Sequence, residues 1–230
     1  MSASLPANEA QRLAALRAYN ILDSAPEQLY DDVVKLVTYV CQVPMATISL
    51  VDEHRQWFKS RIGVEDQETS REISFCAHTI LGNKPLMVRD ATEDPRFAAS
   101  PLVTGPTHVR FYGGFPLIAP DGHALGSLCA MDRTPRELTQ EQQTAMTALS
   151  NQVMALLELR RVSSQMAAAL ERIKALESLL TICAWCKRIR EFDGSWLNPD
   201  VYIKRKAEAP ISHGICPDCF AQQRSKATGR

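Results

Sequence analysis

Four of the chain's seven cysteines stand in two pairs, Cys183 and Cys186 in "CAWC" and Cys216 and Cys219 in "CPDC". The pattern is C-x2-C, 29 intervening residues, then C-x2-C. A two-residue spacer lets both sulfurs of a pair face one ion from a tight backbone turn, and four thiolates suit tetrahedral Zn2+. A catalytic zinc needs an open coordination position, so a four-cysteine site is expected to be structural. A redox-sensitive version of the site stays open, as does iron in place of zinc. A thioredoxin-like motif needs a strand before CxxC and a helix after it; here a helix precedes and a hairpin follows. Haem attachment needs CxxCH, but Lys187 and Phe220 follow the pairs. Disulfides within the pairs would hold no loop together. His213, three residues before Cys216, is a reserve ligand or a supporting group.

The elements that must position these thiols are legible. "KRIREFDGSWL" predicts a hairpin about Asp193-Gly194. "CFAQQRSKA" predicts a helix starting at the second pair, whose free N–H groups favour anionic sulfur. Knuckle, hairpin and helix together resemble a treble-clef zinc finger spanning 182–222. A segment so small needs a staple. Lys187, Arg188, Arg190 and Lys204, Arg205 and Lys206 offset a site charge of about −2. The basic run Lys204–Lys206 could serve nucleic acid, but only Tyr202 and Trp196 supply aromatic faces nearby. A solvated charge run is the reading adopted, with a nucleic-acid-binding regulator as the alternative. Residues 223–230 and 1–7 are expected to be disordered.

A long helix is predicted over 139–181. Thr139 caps it and Gln142 completes a capping box. Leu159, Val162, Met166, Ala169, Ile173, Leu176 and Leu180 step by threes and fours. With Arg160, Arg161, Glu171, Arg172 and Lys174 on the flanks, this is a coiled-coil seam that predicts a homodimer.

Residues 8–138 form the larger part. "NEAQRLAALRAYNIL" places Leu13, Leu16 and Ile21 on one helical face. "APEQLYDDVVKLVTYVCQVP" starts near Pro26, presents Leu29, Val33, Leu36, Val37 and Val40, and closes at Pro44. "MATISLVDE" and "RQWFKSRIG" read as an antiparallel hairpin, "SFCAHTILG" as a short helix and "PLMVRDA" as a strand. A Pro/Ser/Gly-rich loop follows, and "VRFYGGFPLIAPDGHALGSLCAMD" gives strand, Asp-Gly turn, strand. The fold class is α+β on an antiparallel sheet. Acidic and basic residues cancel at 26 each in 230 residues. That gives no global reason to expect a nucleic-acid or membrane-surface binder. No apolar run approaches the roughly 18 residues of a membrane span, and the N-terminus lacks a secretory pattern. The cytoplasm is expected, where stable disulfides are rare.

No phosphate loop, GxSxG, HExxH or kinase signature is present. Cys76 and His78 in "SFCAH" could be nucleophile and base, but at i and i+2 on a helix their side chains diverge. "REISFCAHTIL", "PLMVRDATEDPRFAASPLV" and "VRFYGGFPLIAPDGHALGSLCAMDRTPRELT", with "ISLVDEHRQWFKSRIG" upstream, resemble a GAF domain over about residues 8–160. The subgroup is that of bacterial sensor kinases and cyclic-dinucleotide enzymes. The resemblance implies helices on one face of the sheet and a small-molecule pocket on the other. Its pocket-side residues would be Cys76, His78, Asp90, Phe111, Tyr112 and Cys129. The bilin-attaching Cys-His of phytochrome GAF domains is broken by Ala77. Cys76 and Cys129 do not sit in the motif of the free methionine sulfoxide reductases. The tail resembles a cysteine-rich segment appended to bacterial sensory and receiver domains. These observations predict a sensor of a small molecule or of redox state. It would work through a helix pair and a zinc module on an unknown signalling partner, and would not itself be an enzyme. The rival is a thiol-dependent reductase using Cys76 or Cys129.

Overall fold

The computed structural model describes residues 3–177, 181–191, 193–207, 217, 220 and 224, with side chains for all but 174–177, 206 and 207. The chain divides into two compact units, Met1–Met166 and Ala167–Arg230.

The first unit opens with α1 (Glu9–Ala18) and α2 (Gln28–Cys41). Leu13, Leu16 and Ile21 are buried as their spacing predicts. On α2 the buried stripe is Tyr30, Val33, Val34, Val37 and Cys41. Leu29 and Leu36, expected on that face, are exposed. They lie roughly 100° round the helix from the Val34–Val37 line, as 3.6 residues per turn requires. Gln42, in the left-handed region at φ 53°, ends the helix before Pro44.

Six antiparallel strands follow: β1 (Met45–Val51), β2 (Arg55–Ile62), β3 (Glu68–Ser70), β4 (Leu86–Val88), β5 (Phe111–Ile118) and β6 (Ala124–Asp132), in the order β3-β2-β1-β6-β5-β4. The two hairpins and the middle strand stand where the sequence predicts them. β3 and a one-turn helix α4 (Pro101–Thr104) in the Pro/Ser/Gly-rich loop are additions. The predicted short helix is α3 (Phe75–Thr79), capped by Ser74 Oγ, which accepts from Ala77 N–H at 3.1 Å. Gly122 turns the β5–β6 hairpin at φ 85°. Ile118 pairs with Ala124 and Leu117 with Gly126, so Leu125 is a bulge that resets the side-chain alternation of β6.

Helix α5 (Gln140–Glu177) starts on the predicted capping box. Thr139 N–H donates to Gln142 Oε1 at 3.0 Å, and Gln142 N–H to Thr139 Oγ1 at 3.3 Å. Its first half buries Met146, Val153, Met154 and Leu157 against the sheet and α1–α2 core. Gln142 Nε2 donates to Val40 O at 3.0 Å. Tyr19 donates to Glu158, and Arg160 pairs with Glu27, which also holds the buried ammonium of Lys59 at 2.7 Å. Beyond this point the predicted seam is bare in a single chain: Leu159, Val162, Met166, Ala169 and Ile173 are exposed. The side chains of Leu176 and Leu180 lie outside the described residues.

In the second unit β7 (Ile189–Arg190) and β8 (Trp196–Leu197) form the expected hairpin, with Gly194 at φ 87°. A helix α6 (Pro199–Ala207) follows, which carries Lys204 and Arg205 as exposed residues. The basic run, expected as a solvated stretch, lies on this helix. Cys216, Cys219 and His213, and nearly all of the tail 223–230, lie outside the described residues. Among the described residues no helix is long and apolar enough to cross a membrane.

Candidate functional site

Alternation along the strands gives the sheet two unlike faces. Ile48 and Leu50 of β1, Leu128 and Ala130 of β6, and Phe111, Phe115 and Leu117 of β5 point towards the helices. Their neighbours Thr47, Ser49, Ser127, Cys129 and Tyr112 point the other way. The register places Thr47 and Gly114 on either side of Cys129, and Ser49 opposite Ser127. This second face would be a solvated row on an open sheet. It is instead covered by α3 and the segment carrying Val88, Phe97, Val103 and Val109, so every one of these polar groups is buried.

Buried polar groups must find partners in one another, and here they do. Cys76 Sγ, from α3, lies 3.4 Å from Cys129 Sγ. The Tyr112 hydroxyl donates to Cys76 Sγ at 3.4 Å, lies 3.5 Å from Cys129 Sγ and bonds Thr79 Oγ1 at 2.7 Å. Ser127 Oγ lies 3.1 Å from Cys129 Sγ. Ser49 Oγ extends the chain, accepting from Gln56 Nε2 at 3.3 Å, and Ser74 Oγ donates to Gln56 Oε1. Gly114 leaves the room for this. A Cβ there would strike the Tyr112 hydroxyl and come within 2.7 Å of Thr79 Oγ1. Phe75 stacks on Phe97 with ring centroids 4.1 Å apart and closes the cluster from above.

Burial pushes both thiols up, because a thiolate is poorly solvated there. At Cys76 the hydrogen bonds from Cys129, Ser127, Tyr112 and Ser49 outweigh burial and bring the thiol down to about 6. At Cys129 burial, the hydrogen bond to Cys76 and the neighbouring charge act together, and the thiol rises well above its usual value. The Tyr112 phenol rises for the same reasons of burial and nearby thiolate charge. The two shifts run in opposite directions, so Cys76 is the more readily ionised of the two thiols.

Cys76 and Tyr112 border a cavity of about 40 Å³ beside Phe75 and Met131. Its rim includes exposed Asp66 and half-buried Val64 and Thr107, which open it towards solvent. A water occupies ~30 Å³ of liquid, whereas sites for drug-sized ligands run to roughly 300–1,000 Å³. The cavity takes a molecule of a few heavy atoms.

Of the six residues expected on the pocket side, Cys76, Tyr112 and Cys129 come together in the cluster. His78 diverges from Cys76 as the helical spacing requires. It lines a separate open cleft with Arg96, its ring edge-on to Phe97 at 4.8 Å. Asp90 accepts from Thr92 N–H at 2.9 Å and Thr92 Oγ1 at 2.6 Å, and so shapes the turn after β4. Phe111 is corrected. It is adjacent to Tyr112 in a strand and must face the opposite way, into the helix-side core. The sequence reading missed Thr47, Ser49, Gln56, Ser74, Thr79 and Ser127. For Thr47, Ser49 and Ser127 the signal was the alternation of hydroxyl and aliphatic residues in "ATISL" and "GSLC".

Of the four expected metal ligands, Cys183 and Cys186 are described. Cys186 N–H points at Cys183 Sγ at 3.5 Å, and Lys187 turns the chain at φ 63°. Cys183 N–H then donates to Arg188 O at 2.8 Å. The backbone N–H of Cys186, then that of Trp185, pulls the Cys183 thiol below its usual value. A sulfur receiving backbone N–H groups from a tight turn fits a metal thiolate.

The GAF domain family model matches residues 25–157. A cyclic di-GMP phosphodiesterase of Pseudomonas aeruginosa is 40% identical over 141 residues, which is 61% of this chain and 24% of that protein. The chain thus spans about a quarter of the curated relative's length. Solved structures agree on the fold. The GAF domain of a phosphoenolpyruvate-protein phosphotransferase from Coxiella burnetii superposes with TM-score 0.53 at 16% identity, over 69% of this chain and 99% of that one. The PixJ GAF domain of Thermosynechococcus elongatus, in its blue-light absorbing form, gives 0.51 at 13%, over 74% and 98%. The expectation that the chain is not an enzyme is overturned by the phosphodiesterase. A lack of catalytic motifs excludes nothing when a relative this similar is named as an enzyme. A family match over more than half of its length, on a six-stranded antiparallel sheet flanked by helices, means that this chain belongs to the GAF domain family.

Proposed function

We propose that this protein is a sensory or regulatory signal-transduction protein. Its GAF domain takes up a small molecule or registers redox state on the thiol face and relays the change through α5. The single observation that carries this reading is the buried, fully hydrogen-bonded cluster of Cys76, Cys129 and Tyr112 beside a small cavity. Structural packing alone would fill that face with aliphatic groups, because a buried polar network adds little net stability. The cavity volume favours the redox arm over a large ligand. The phosphodiesterase relative supports a place in cyclic-dinucleotide signalling.

In this reading α5 pairs with its counterpart through the bare stripe Leu159, Val162, Met166, Ala169 and Ile173 in a homodimer. Cys183, Cys186, Cys216 and Cys219 hold one structural Zn2+, which would staple a small module for an unidentified signalling partner. The output is a two-state helix whose balance the thiol face shifts. Native mass spectrometry of the full chain, purified without chelator, tests the relay. A dimer carrying about one zinc per chain, lost on Cys183→Ser, is expected. A metal-free monomer at micromolar concentration overturns it.

A further inference from the structure

We propose that Cys76 and Cys129 form a hydroperoxide-oxidised dithiol, in which Cys76 attacks the peroxide and Cys129 closes a disulfide. The proposal rests on the reading of the thiol face as the sensory site and names its reactant.

Three observations carry it. The sulfurs are 3.4 Å apart, although 53 residues separate them in the chain. Closing that gap to the ~2.05 Å of a disulfide asks the sulfurs of α3 and β6 to approach by about 1.4 Å. The two sulfurs are also unequal in access. Cys76 borders the cavity, whereas Cys129 does not and is wholly buried. The cavity, about 40 Å³, admits hydrogen peroxide or a short alkyl hydroperoxide and excludes a bulky disulfide such as oxidised glutathione.

The surrounding groups suit each step. The Tyr112 hydroxyl reaches both sulfurs, and Ser127 Oγ reaches Cys129. These donors stabilise a thiolate. In the first step Cys76 sulfur attacks the terminal oxygen of ROOH. The O–O bond breaks, Cys76 becomes a sulfenic acid, and the departing alkoxide takes the proton released by the thiol to leave as ROH. In the second step Cys129 sulfur attacks Cys76 sulfur, the S–O bond breaks, and the hydroxyl leaves with the Cys129 proton as water. Two thiols lose two electrons and ROOH gains them, giving one disulfide, ROH and water. A cellular dithiol reverses the change. The crosslink would join α3, the cover of the thiol face, to β6, a central strand that also contacts the helix-side core.

The test uses the full chain, with hydrogen peroxide and, in parallel, iodine, a two-atom thiol oxidant that is not a peroxide. Digestion without reductant is followed by peptide mass mapping, so the tail cysteines are read separately. The proposal expects a peptide pair crosslinked through Cys76 and Cys129 after peroxide, abolished by dithiothreitol. In Cys129→Ser it expects a sulfenic acid on Cys76, trapped by dimedone present as the peroxide-treated chain is unfolded, and in Cys76→Ser no such adduct on Cys129. The wild-type map stands even if a variant fails to fold. A crosslink with iodine but not with peroxide overturns the hydroperoxide step and leaves the redox-sensing reading in place. No crosslink with either oxidant overturns both. A dimedone adduct on Cys129 in place of Cys76 overturns the assigned order.

Discussion

The two faces of the central sheet are built from the same strands and differ in kind. Towards the helices lie Ile48, Leu50, Phe111, Phe115, Leu117 and Leu128, with Lys59 as a satisfied exception held by Ser24, Ala25 and Glu27. On the other side lie thiols, hydroxyls and an amide, buried just as deeply and bonded to one another and to nearby backbone groups such as Ala77 N–H and Phe75 O. The first face stabilises the fold by removing apolar area from water. The second contributes little net stability and places reactive groups in one defined arrangement. One residue of register separates stability from chemistry in this molecule.

The contrast breaks most visibly by truncation. Phe115→Ala on the helix side should cost about 3–5 kcal/mol, read by urea denaturation, because a large cavity opens in a close-packed core. A loss below about 1 kcal/mol would mean that this face is not the structural one.

A seam between the faces gives the next effect. Glu9 of α1 bonds Arg12 Nε at 2.8 Å and Arg71 on the approach to α3 at 2.5 Å. Burial alone would raise its carboxyl, but the hydrogen bonds from Arg12 and Arg71 hold it down at about 2. A depressed carboxyl gives stability that is complete above the unfolded value of 4.5 and lost as pH falls towards about 2. Glu9→Gln should therefore destabilise by on the order of 2–3 kcal/mol at pH 7. The gap from wild type should shrink steadily as pH drops through that window. A pH-independent gap would contradict the ionic origin.

On the thiol face, Tyr112→Phe removes the hydroxyl shared by Thr79 and both sulfurs. About 1–3 kcal/mol should be lost, since buried partners are left unsatisfied. The rate of Cys76 alkylation at neutral pH should fall at the same time, as its thiolate loses a donor. An unchanged rate would show that the cluster is packing only.

The smallest effect is expected at the clasp on α5. Arg160 and Glu27 are both about one-third exposed, so Arg160→Ala should cost at most about 1 kcal/mol. Hydrogen exchange should nonetheless quicken near residue 160, where the helix leaves the core.

The legible parts were those governed by local chemistry. The Thr139–Gln142 capping box, the Asp193-Gly194 and Asp121-Gly122 turns and the Ser74-capped α3 each depend on residues a few positions apart. The site was half legible. Cys76, Tyr112 and Cys129 could be named singly, but their meeting depends on β5–β6 register and on α3 docking, which no local pattern encodes. Hydroxyls alternate with aliphatics in β1, and only the cover supplied by α3 and the Phe97–Val109 segment makes them a buried network. Phe111 shows the opposite limit. Strand parity alone separates it from Tyr112, so the two could not both face the pocket.

Peptide-resolved hydrogen exchange on the full chain, reduced against oxidised, tests the central claim most directly. The account predicts altered protection in α3 and β6 together with residues 140–177 of α5, reversed by dithiothreitol. A change confined to the tail cysteines, with the sheet and α5 indifferent to oxidation, would contradict it.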